Sequence, residues 1–556
     1  MSRLPGYPGG TIFVRHPHNP RAWLIIHSVK TQVDIGFGLD TGGAFEYCFT
    51  ALSGTDTGVR MSKRPPTEGV IMLRCLRSGI AYKNALKAAS AIFPAFILLC
   101  FAQGTARAQM AQDPGPRGGP AGAGQFVSGL TTDQQAVETP SLNFFNEVNN
   151  VAGGTSTKRV GLGGRFDSNA CNGCHAQPAS GGSSLPSNPL FKVYQLMGDQ
   201  NAMPFFETSS GPTLVARAPY QSDLVTPNGH VQQLFTITGR TDAGTCDIQQ
   251  PDFNELAAEN NLIFRQTTPF FGGGLLEIIN DSDIIANENS NLTQKMALGI
   301  SGNPNINADD GSVNRFGWKA QKRSLILFAG EAYNVEEGID NEFFPNKTDE
   351  TPGCTPPFPL GPPNGNGTHG VPDDRTDWAV LPASGFLMPG DPERFGIYGR
   401  LLAGPTPGSC PGPNSQSCNS GQIDFNTIGC QLCHNPTFTT PPSSIAALSN
   451  QPVNLYSDLL VHHMGICDAD NITQGQATGD EFRTMPLWGV GQRYFFMHDG
   501  RTKDIVQAVL DHSCAASFQY GPSEANAVVV NFNNLANVQG VDGSAQQDLI
   551  NFLRSL

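Results

Sequence analysis

Two pentapeptides of the Cys-x-x-Cys-His type contain the residues of this chain that are best suited to chemistry. Residues 171–175 read CNGCH, and residues 430–434 read CQLCH. In such a pentapeptide the two thiols add to the vinyl groups of a haem as thioethers, and the adjoining histidine reaches the iron. The pair therefore predicts two covalently bound haem c groups. The attachment residues and iron ligands are Cys171, Cys174 and His175 for the first haem, and Cys430, Cys433 and His434 for the second. A zinc site or a redox dithiol at each Cys pair is the alternative, but neither requires the trailing histidine.

What fills the remaining axial position of each iron separates an electron carrier from a catalyst. Six further histidines follow residue 108 and are candidates: His230, His369, His462, His463, His498 and His512. His512 is the strongest, because at helical spacing it shares a face with the apolar residues Ile505 and Val509. We expect His512 to bind the second iron. The alternative is a core histidine that only satisfies hydrogen bonds.

The first iron has no comparably placed partner. His230 follows Pro-Asn-Gly, a turn sequence, and could cap this iron in a resting state, but the sequence favours an open position. His498 precedes Asp499-Gly500, and we expect it to line a haem edge and hydrogen-bond a propionate. A turn residue without that role is the alternative for His498.

Two further side chains are candidates for catalytic work. Glu277 lies in the apolar run Gly-Leu-Leu-Glu-Ile-Ile, where burial would raise its pKa toward values useful for moving protons at a bound peroxide. A structural carboxylate paired with an arginine is the equally weighted alternative. Trp318 is the candidate electron relay between the haems, although Trp318, Trp378 and Trp488 could equally be packing residues.

The first 108 residues differ from the rest of the chain. Residues 72–108 combine a basic segment, an apolar run and an Ala-Arg-Ala site before Gln109, which predicts a secretory signal peptide. The apolar run is too short to span a bilayer, so a retained membrane anchor is the weaker alternative. Because a signal peptide works at an N-terminus, residues 1–71 are predicted to be a start-site overcall.

The predicted mature chain is acidic. Residues 1–108 contain 12 of the 34 Lys and Arg and 5 of the 48 Asp and Glu, so their removal leaves 22 against 43 and takes the formal charge from −14 to −21. Such a surface argues against nucleic acid and anionic membranes as partners. We expect a periplasmic or secreted protein with no integral membrane anchor after signal cleavage and with a small redox protein as electron donor.

Six cysteines of the mature chain attach no haem, and an even number is what disulfides in an oxidising compartment require. They are Cys246, Cys354, Cys410, Cys418, Cys467 and Cys514. The short Pro/Gly segment between Cys410 and Cys418 favours a disulfide between these two. Cys467 with Cys514 is the next expectation, followed by Cys246 with Cys354.

Composition and periodicity divide the mature chain into four parts. They are a disordered Gly/Pro-rich tail (109–130), an N-terminal haem domain (131–350), a Pro/Gly-rich linker (351–375) and a C-terminal haem domain (376–556). Apolar residues from Leu142 to Val151 predict a helix before the first motif. A capping box from Ser544 to Gln547 predicts an amphipathic C-terminal helix. Residues 190–197 and 231–238 alternate in polarity and predict strands.

With these motifs in view, the chain resembles the di-haem oxidoreductase family of peroxidase-like proteins, sometimes labelled thiol oxidoreductases, and more distantly the bacterial di-haem cytochrome c peroxidases. The resemblance covers residues 139–556. It rests on GLGGRFDSNACNGCH, TPFFGGGLLEII, RFGWKAQKRSL, YSDLLVHHMG, EFRTMPLWGVGQRYFFMHDG and the helix ending at His512. His463 stands where the family pattern usually has an acidic residue, and residues 279–283 lack a tryptophan that the distant peroxidases carry.

The resemblance implies a mainly α fold with two cytochrome c-like haem domains, long loops and some short inserted β-strands. It also implies an exported peroxidase-like enzyme in which a donor reduces the C-terminal, bis-histidine haem, and peroxide or another small oxidant reacts at the N-terminal haem. A bound calcium ion, as in related peroxidases, stays open. The alternatives are a non-catalytic di-haem electron-transfer cytochrome and a haem oxygenase-type enzyme that acts on an organic or protein substrate.

Overall fold

A computed structural model of the protein describes residues 110–151, 153–154, 162–339, 341, 343–344, 379–380, 387–388 and 390–556, and the backbone of four strands between residues 10 and 51. The chain forms two compact units, Met1–Gly104 and Thr105–Leu556. The predicted signal peptide and the predicted linker at 351–375 lie outside the described residues, as do Cys354, His369 and Trp378.

The first unit contains a four-stranded antiparallel sheet in the order β1-β2-β3-β4. Its strands are β1 (Gly10–His16), β2 (Asn19–Val29), β3 (Gln32–Leu39) and β4 (Cys48–Ala51). Ile26 of β2 pairs with Ile12 on one side and Ile35 on the other. The β-branched and aromatic residues of these strands favour extended backbone, which the sequence analysis did not anticipate. The start-site prediction for residues 1–71 concerns translation and stays a prediction.

The second unit is mainly helical, as predicted. Its helices in the described residues are α1 (Thr132–Phe145), α2 (Cys171–Cys174), α3 (Phe253–Ala258), α4 (Gly273–Glu277), α5 (Asp281–Asn289), α6 (Leu292–Leu298), α7 (Leu325–Glu337), α8 (Asp391–Leu401), α9 (Gln416–Ile428), α10 (Ile505–Asp511), α11 (Asn526–Leu535) and α12 (Ala545–Ser555). Short 3-10 turns lie at Pro189–Lys192, Leu196–Gly198, Cys430–Leu432, Ala446–Leu448 and Val490–Gln492.

Short antiparallel ribbons connect these helices. The strands are β5 (Asn149–Asn150), β6 (Gly153–Gly154), β7 (Arg165–Phe166), β8 (Leu214–Arg217), β9 (Phe235–Thr236), β10 (Ile263–Gln266), β11 (Ala379–Val380), β12 (Leu387–Met388), β13 (Phe438–Thr439), β14 (Pro452–Val453), β15 (Val461–His463), β16 (Glu481–Arg483), β17 (Gln539–Gly540) and β18 (Gly543–Ser544). Each pairs with one partner: β5 with β6, β7 with β9, β8 with β10, β11 with β12, β13 with β14, β15 with β16, and β17 with β18.

Helices α9 and α12 form the main helix pair of the C-terminal part. They approach closely at Gly421, where an added Cβ would lie 2.0 Å from the Asp548 carbonyl oxygen, so this position requires glycine. Ser544 caps α12 by accepting a hydrogen bond from the Gln547 backbone N–H at 3.2 Å. Leu549 on the inner face of α12 is buried. The predicted C-terminal amphipathic helix is therefore confirmed.

Helix α8 packs against α1, α4 and α7 rather than against the C-terminal helices. Its Phe395 ring lies 4.5 Å from the Phe144 ring of α1, centroid to centroid. Gly274 of α4 approaches α8 so closely that a Cβ would lie 2.1 Å from the Arg400 carbonyl oxygen. By packing, α8 lies beside the helices around the first motif, and the predicted domain boundary at residue 376 stays a prediction.

Three predictions of local secondary structure near the first motif differ from the structure. Residues 190–197 form 3-10 turns instead of a strand, because Pro189 lacks an N–H and favours a helical first turn. Residues 231–238 supply only β9. Helix α1 ends at Phe145, so Val148 and Val151 of the predicted helix lie beyond it.

Residues 110–130 are ordered, although their composition predicted a disordered tail. The buried guanidinium of Arg554 binds both carboxylate oxygens of Asp113, at 2.7 and 2.6 Å. Arg117 donates its backbone N–H to the Gly491 carbonyl, and Phe126 forms a β-bridge with Leu402. Partners far along the chain, not local apolar content, order this segment.

Candidate functional site

The first haem motif lines a largely apolar cavity, called here the N-terminal cavity, of about 1400 Å³ when the open space at its mouth is included. Cys171 and Cys174 lie on the single turn of α2, and His175 follows with its N–H bonded to the Cys171 carbonyl at 3.0 Å. Helix α7 contributes Phe328 and Ala332 to the lining. The two thiols and the imidazole thus border a space large enough for a bulky cofactor.

The His175 ring is held in the orientation that a metal ligand needs. Its Nδ1 lies 3.2 Å from the Gly182 carbonyl oxygen, so Nδ1 donates and Nε2 is left for the iron. Gly182 lies in a tight turn, where an added Cβ would be 2.0 Å from the Gln177 carbonyl oxygen. The Phe270 ring packs edge-on at 5.3 Å. Burial lowers the pKa of His175 to about 4, which keeps the imidazole neutral.

The second motif lines a separate cavity of about 1500 Å³, called here the C-terminal cavity. Cys430, Cys433 and His434 all lie on its wall. The His434 Nδ1 lies 3.1 Å from the Tyr456 carbonyl oxygen, which again leaves Nε2 available. Burial, followed by the nearby His512 imidazole, lowers the pKa of His434 to about 4.

His512 lies at the end of α10 and lines the same cavity, together with Ile505 and Val509 of the same helical face. Its Nδ1 lies 2.7 Å from the Ala508 carbonyl oxygen, so this nitrogen donates within the helix and Nε2 is available. The C-terminal cavity therefore contains two imidazoles that are both oriented for an iron.

The remaining histidines of the described residues are held by other partners, although His462 and His498 also line the C-terminal cavity. Both ring nitrogens of His462 are engaged, Nδ1 with Glu524 at 2.8 Å and Nε2 with Asp458 at 3.0 Å. His463 pairs with Asp480 at 3.1 Å. His230 is exposed and lines a third, polar cavity.

The lining of the N-terminal cavity contains, among the described residues, no histidine besides His175 and no methionine. Side chains with oxygen or amide groups do line it, including Tyr333, Thr213 and Gln266, and a tyrosine can ligate a haem iron. The Tyr333 hydroxyl donates to the Asp391 carboxylate at 3.3 Å. No second imidazole therefore faces the first motif from the part of the chain that the structure describes.

Buried arginines in each cavity provide positive charge for carboxylates. Arg483 lines the C-terminal cavity, and its buried Nη1 has no hydrogen-bond partner in the described structure. In the N-terminal cavity, the buried Nε of Arg217 is likewise without a partner there. Burial lowers the pKa of Arg483 to about 9 and of Arg217 to about 10. Other nitrogens of these groups bind the carbonyls of Gly317 and Gly229, so the nitrogen without a partner is the one that fits a haem propionate in each cavity.

The motif cysteines differ from the other cysteines in their bonding. Cys171, Cys174, Cys430 and Cys433 are free thiols. Cys410 is bonded to Cys418 and Cys467 to Cys514, which confirms two predicted disulfides. Cys246 is also disulfide-bonded, but because Cys354 lies outside the described residues their pairing stays a prediction.

A pair of acidic residues that the sequence analysis did not select lines the N-terminal cavity. Asp167 and Glu336 both face it, and the Asp167 backbone N–H binds the Glu336 carbonyl oxygen at 2.7 Å. Burial raises the pKa of both carboxyl groups, and the charge of Glu336 raises that of Asp167 further. Glu337 follows on α7 and accepts from the Asn149 amide at 2.6 Å; burial raises its pKa to about 7.

The structure places Glu277 outside the linings of both cavities. Its carboxylate forms a two-pronged ion pair with the Arg400 guanidinium, with one contact at 3.0 Å, and accepts the Leu325 backbone N–H at 2.9 Å. This arrangement corresponds to the alternative of a structural carboxylate paired with an arginine.

Trp318 lies at the junction of the two cavities and lines both, together with Gln266. The indole Nε1–H donates to the Gln266 carbonyl at 2.9 Å. His498 lines only the C-terminal cavity, where its ring stacks on Phe482 at 4.5 Å and meets Trp318 edge-on at 6.3 Å. Burial lowers the pKa of His498 to about 4, so this ring is neutral.

The described residues contain no cluster of three or more His, Cys, Asp or Glu side chains that could hold a metal ion. Within the same residues, no helix combines the length and apolar character needed to cross a bilayer.

Residues 394–555 match the model of the family described as "Di-haem oxidoreductase, putative peroxidase". The matched range includes the second motif, His498 and His512. No curated protein and no solved structure matches the chain. The family resemblance predicted from the sequence is thereby confirmed through the C-terminal part, and the first motif lies outside the matched range.

Proposed function

We propose that this protein is an exported di-haem c-type oxidoreductase of the peroxidase type, in which electrons enter at the C-terminal haem and peroxide is reduced at the N-terminal haem. The family match supports a haem-dependent oxidoreductase. The division of roles depends on one observation. His512 faces the C-terminal cavity with Nε2 available, whereas the described lining of the N-terminal cavity offers no imidazole besides His175, and the hydroxyl of its Tyr333 binds Asp391.

The residues that would hold the two haems follow from the cavity linings. They are Cys171, Cys174 and His175 in the N-terminal cavity, and Cys430, Cys433, His434 and His512 in the C-terminal cavity. When bound, the C-terminal haem would carry electrons from the donor, and the N-terminal haem would reduce peroxide to water.

The N-terminal cavity must leave room for peroxide and provide protons. Phe328, Ala329 and Ala332 of α7 offer an apolar wall without a donor atom for the iron. Reduction of one peroxide to two waters consumes two protons and two electrons, so an acid in the cavity is required. We assign this role to the Glu336 carboxyl group, with Asp167 as its neighbour, because burial raises the pKa of both. Glu277 keeps a structural role beside Arg400.

In the C-terminal cavity, His512 would occupy the second axial position of the iron. The hydrogen bond from His512 Nδ1 to Ala508 fixes the imidazole, and Phe425 and Phe532 line the cavity with apolar surface. Arg483 offers a buried guanidinium to a propionate. Trp318 lies between this cavity and the N-terminal one, which supports its assignment as the electron relay.

The chemistry of the surface supports export and a protein donor. The disulfides Cys410–Cys418 and Cys467–Cys514 fit the oxidising conditions of the periplasm or the extracellular space. The acidic charge of the predicted mature chain favours a small basic redox protein as donor.

Peroxide turnover with a reduced monohaem cytochrome as donor tests this function. We expect purified protein to start near Gln109, to retain two haems after acid extraction, and to oxidise the donor only when hydrogen peroxide is present. Two attached haems with no peroxide-dependent oxidation would instead support the electron-transfer cytochrome. Retention of residues 1–71 in exported protein would contradict the signal-peptide prediction.

A further inference from the structure

The ammonium group of Lys319 lies in a cage of oxygen atoms. Its Nζ is within 2.7 Å of the Thr478 carbonyl oxygen, 2.8 Å of that of Glu481 and 3.3 Å of that of Gly479. A carboxylate oxygen of Asp470 completes the cage at 3.1 Å, and both side chains are fully buried. An ammonium group has only three N–H donors, so four oxygens around it exceed what hydrogen bonding alone requires.

The cage is located where the two haem cavities meet. Lys319 directly follows Trp318, which lines both cavities. Its Nζ also lies 4.1 Å from the centre of the Phe482 ring, which stacks on His498. On the other side, Asp470 receives the Arg265 guanidinium at 3.0 Å, and Arg265 lines the N-terminal cavity. The cage thus joins β16, the loop before it and the tryptophan segment.

Three carbonyl oxygens and one carboxylate are the donor set with which proteins bind hard cations. The cage distances of 2.7 to 3.3 Å exceed the roughly 2.3–2.6 Å that calcium requires. They suit a larger, singly charged ion. Burial lowers the pKa of Lys319 to about 8 although Asp470 opposes this, so the ammonium form predominates at neutral pH.

We propose that Lys319 supplies the resident cation of an oxygen-lined cation site between the two haem cavities, and that removal of its side chain leaves a site for a free monovalent cation such as ammonium or potassium. The lysine acts as a positioning residue, because its charge holds the 478–481 loop against the segment that carries Trp318. The protein needs no bound metal at this point, since its own side chain occupies the cage.

Thermal unfolding of the haem-loaded full chain tests the proposal. Lys319→Ala is expected to lower the midpoint by several degrees in choline chloride, because three carbonyl oxygens lose their cation and Asp470 keeps only Arg265. Ammonium or potassium chloride at the same ionic strength should restore most of the loss. Lys319→Met should lose stability without restoration, because its side chain fills the space but has no charge. Lys322→Ala is the control, since it removes a partly exposed lysine of the same segment.

An equal midpoint of Lys319→Ala in all three salts would overturn the proposal, as would restoration of Lys319→Met by ammonium. If Lys319→Ala does not fold, the yield of folded protein is compared after refolding with and without ammonium. A higher yield with ammonium supports the proposal, and an equal yield overturns it. A second expectation depends on the proposed function: electron transfer between the haems slows in Lys319→Ala and recovers with ammonium. Absence of peroxide turnover in wild type would contradict the proposed function but leave the salt comparison unaffected.

Discussion

The two haem motifs are nearly the same in sequence, but the cavities around them differ. In both, the Nδ1–H of the motif histidine donates to a backbone carbonyl oxygen, with an N to O distance of 3.2 Å for His175 and 3.1 Å for His434. Nε2 is then available in both. In the C-terminal cavity, α10 brings His512 to face His434. In the N-terminal cavity, α7 brings apolar side chains and Glu336. Under the proposed function, the motif would attach the haem, and the helix that completes each cavity would set the ligands available to its iron.

The cavities also differ in their charged groups. The N-terminal cavity is bordered by Asp167 and Glu336, whose pKa values are raised by burial. The C-terminal cavity is bordered by Arg483 and Arg493, but also by Glu524 and by Asp468, whose pKa burial raises to about 6. Basic residues line the N-terminal cavity as well, since Arg217 and Arg265 face it. The difference that remains is the neighbouring pair Asp167 and Glu336, which under the proposed function would supply protons at the N-terminal cavity.

Removal of the iron ligand in the N-terminal cavity should have the largest effect. His175→Gly is expected to abolish peroxide turnover and to leave the low-spin spectrum of the C-terminal haem unchanged, because His434 and His512 are untouched. Steady-state turnover and the absorption spectrum measure both. His230→Gly is the matched control, since His230 is exposed and lines a different cavity. Loss of turnover in the control, or full activity in His175→Gly, would invalidate the distinction between the cavities.

Variants of Glu336 and Glu277 should distinguish a carboxyl group that supplies protons from one that only stabilises the fold. Glu336→Gln is expected to slow peroxide turnover by about 10²–10⁴-fold, which is the usual contribution of a general acid. Glu277→Gln should leave turnover close to that of wild type, at some cost in stability, because its partner Arg400 would be left without a charged partner. Steady-state rates at saturating donor compare the two. If Glu277→Gln slowed turnover more than Glu336→Gln did, Glu277 would be the proton donor instead.

The smallest expected effect concerns stability at the C-terminal cavity. Burial alone would raise the pKa of Glu524, but the hydrogen bond and charge of His462 lower it to about 2 from 4.5. Ser301 also donates to Glu524, from its hydroxyl at 2.6 Å and from its backbone N–H at 2.9 Å. His462 and Ser301 together are therefore expected to contribute about 3 kcal/mol above pH 4.5, and the contribution is lost as pH falls toward 2.

Urea unfolding of Glu524→Gln checks this contribution. The variant should be less stable than wild type at pH 7, and the difference should narrow at pH 3, because wild-type Glu524 begins to lose its advantage there. Glu259→Gln, at an exposed position, should show no such dependence. If the difference in the free energy of unfolding between wild type and Glu524→Gln did not depend on pH, packing rather than the ion pair with His462 would hold Glu524 in place.

Those parts of the candidate site whose residues lie close together along the chain could be predicted from the sequence. The CxxCH motifs and the helical spacing from Ile505 to His512 fall within a few residues of one another. Glu336 could not be found this way, because it lies 162 residues after Cys174 and only the packing of α7 brings it to the cavity. The burial of Glu277 was read correctly from its apolar run, but its partner Arg400 lies 123 residues away. Likewise, Arg554 orders the tail around Asp113 from 441 residues away.

The difference between the two irons is the central claim, and ligand binding monitored by electron paramagnetic resonance tests it most directly. The oxidised protein should give one low-spin signal from the haem of His434 and His512, and one high-spin signal from the haem of His175. Cyanide should convert only the high-spin signal. In His512→Gly, the C-terminal signal should change and that haem should then bind cyanide as well. Two low-spin signals in wild type, cyanide binding only at the C-terminal haem, or unchanged spectra in His512→Gly would contradict the account.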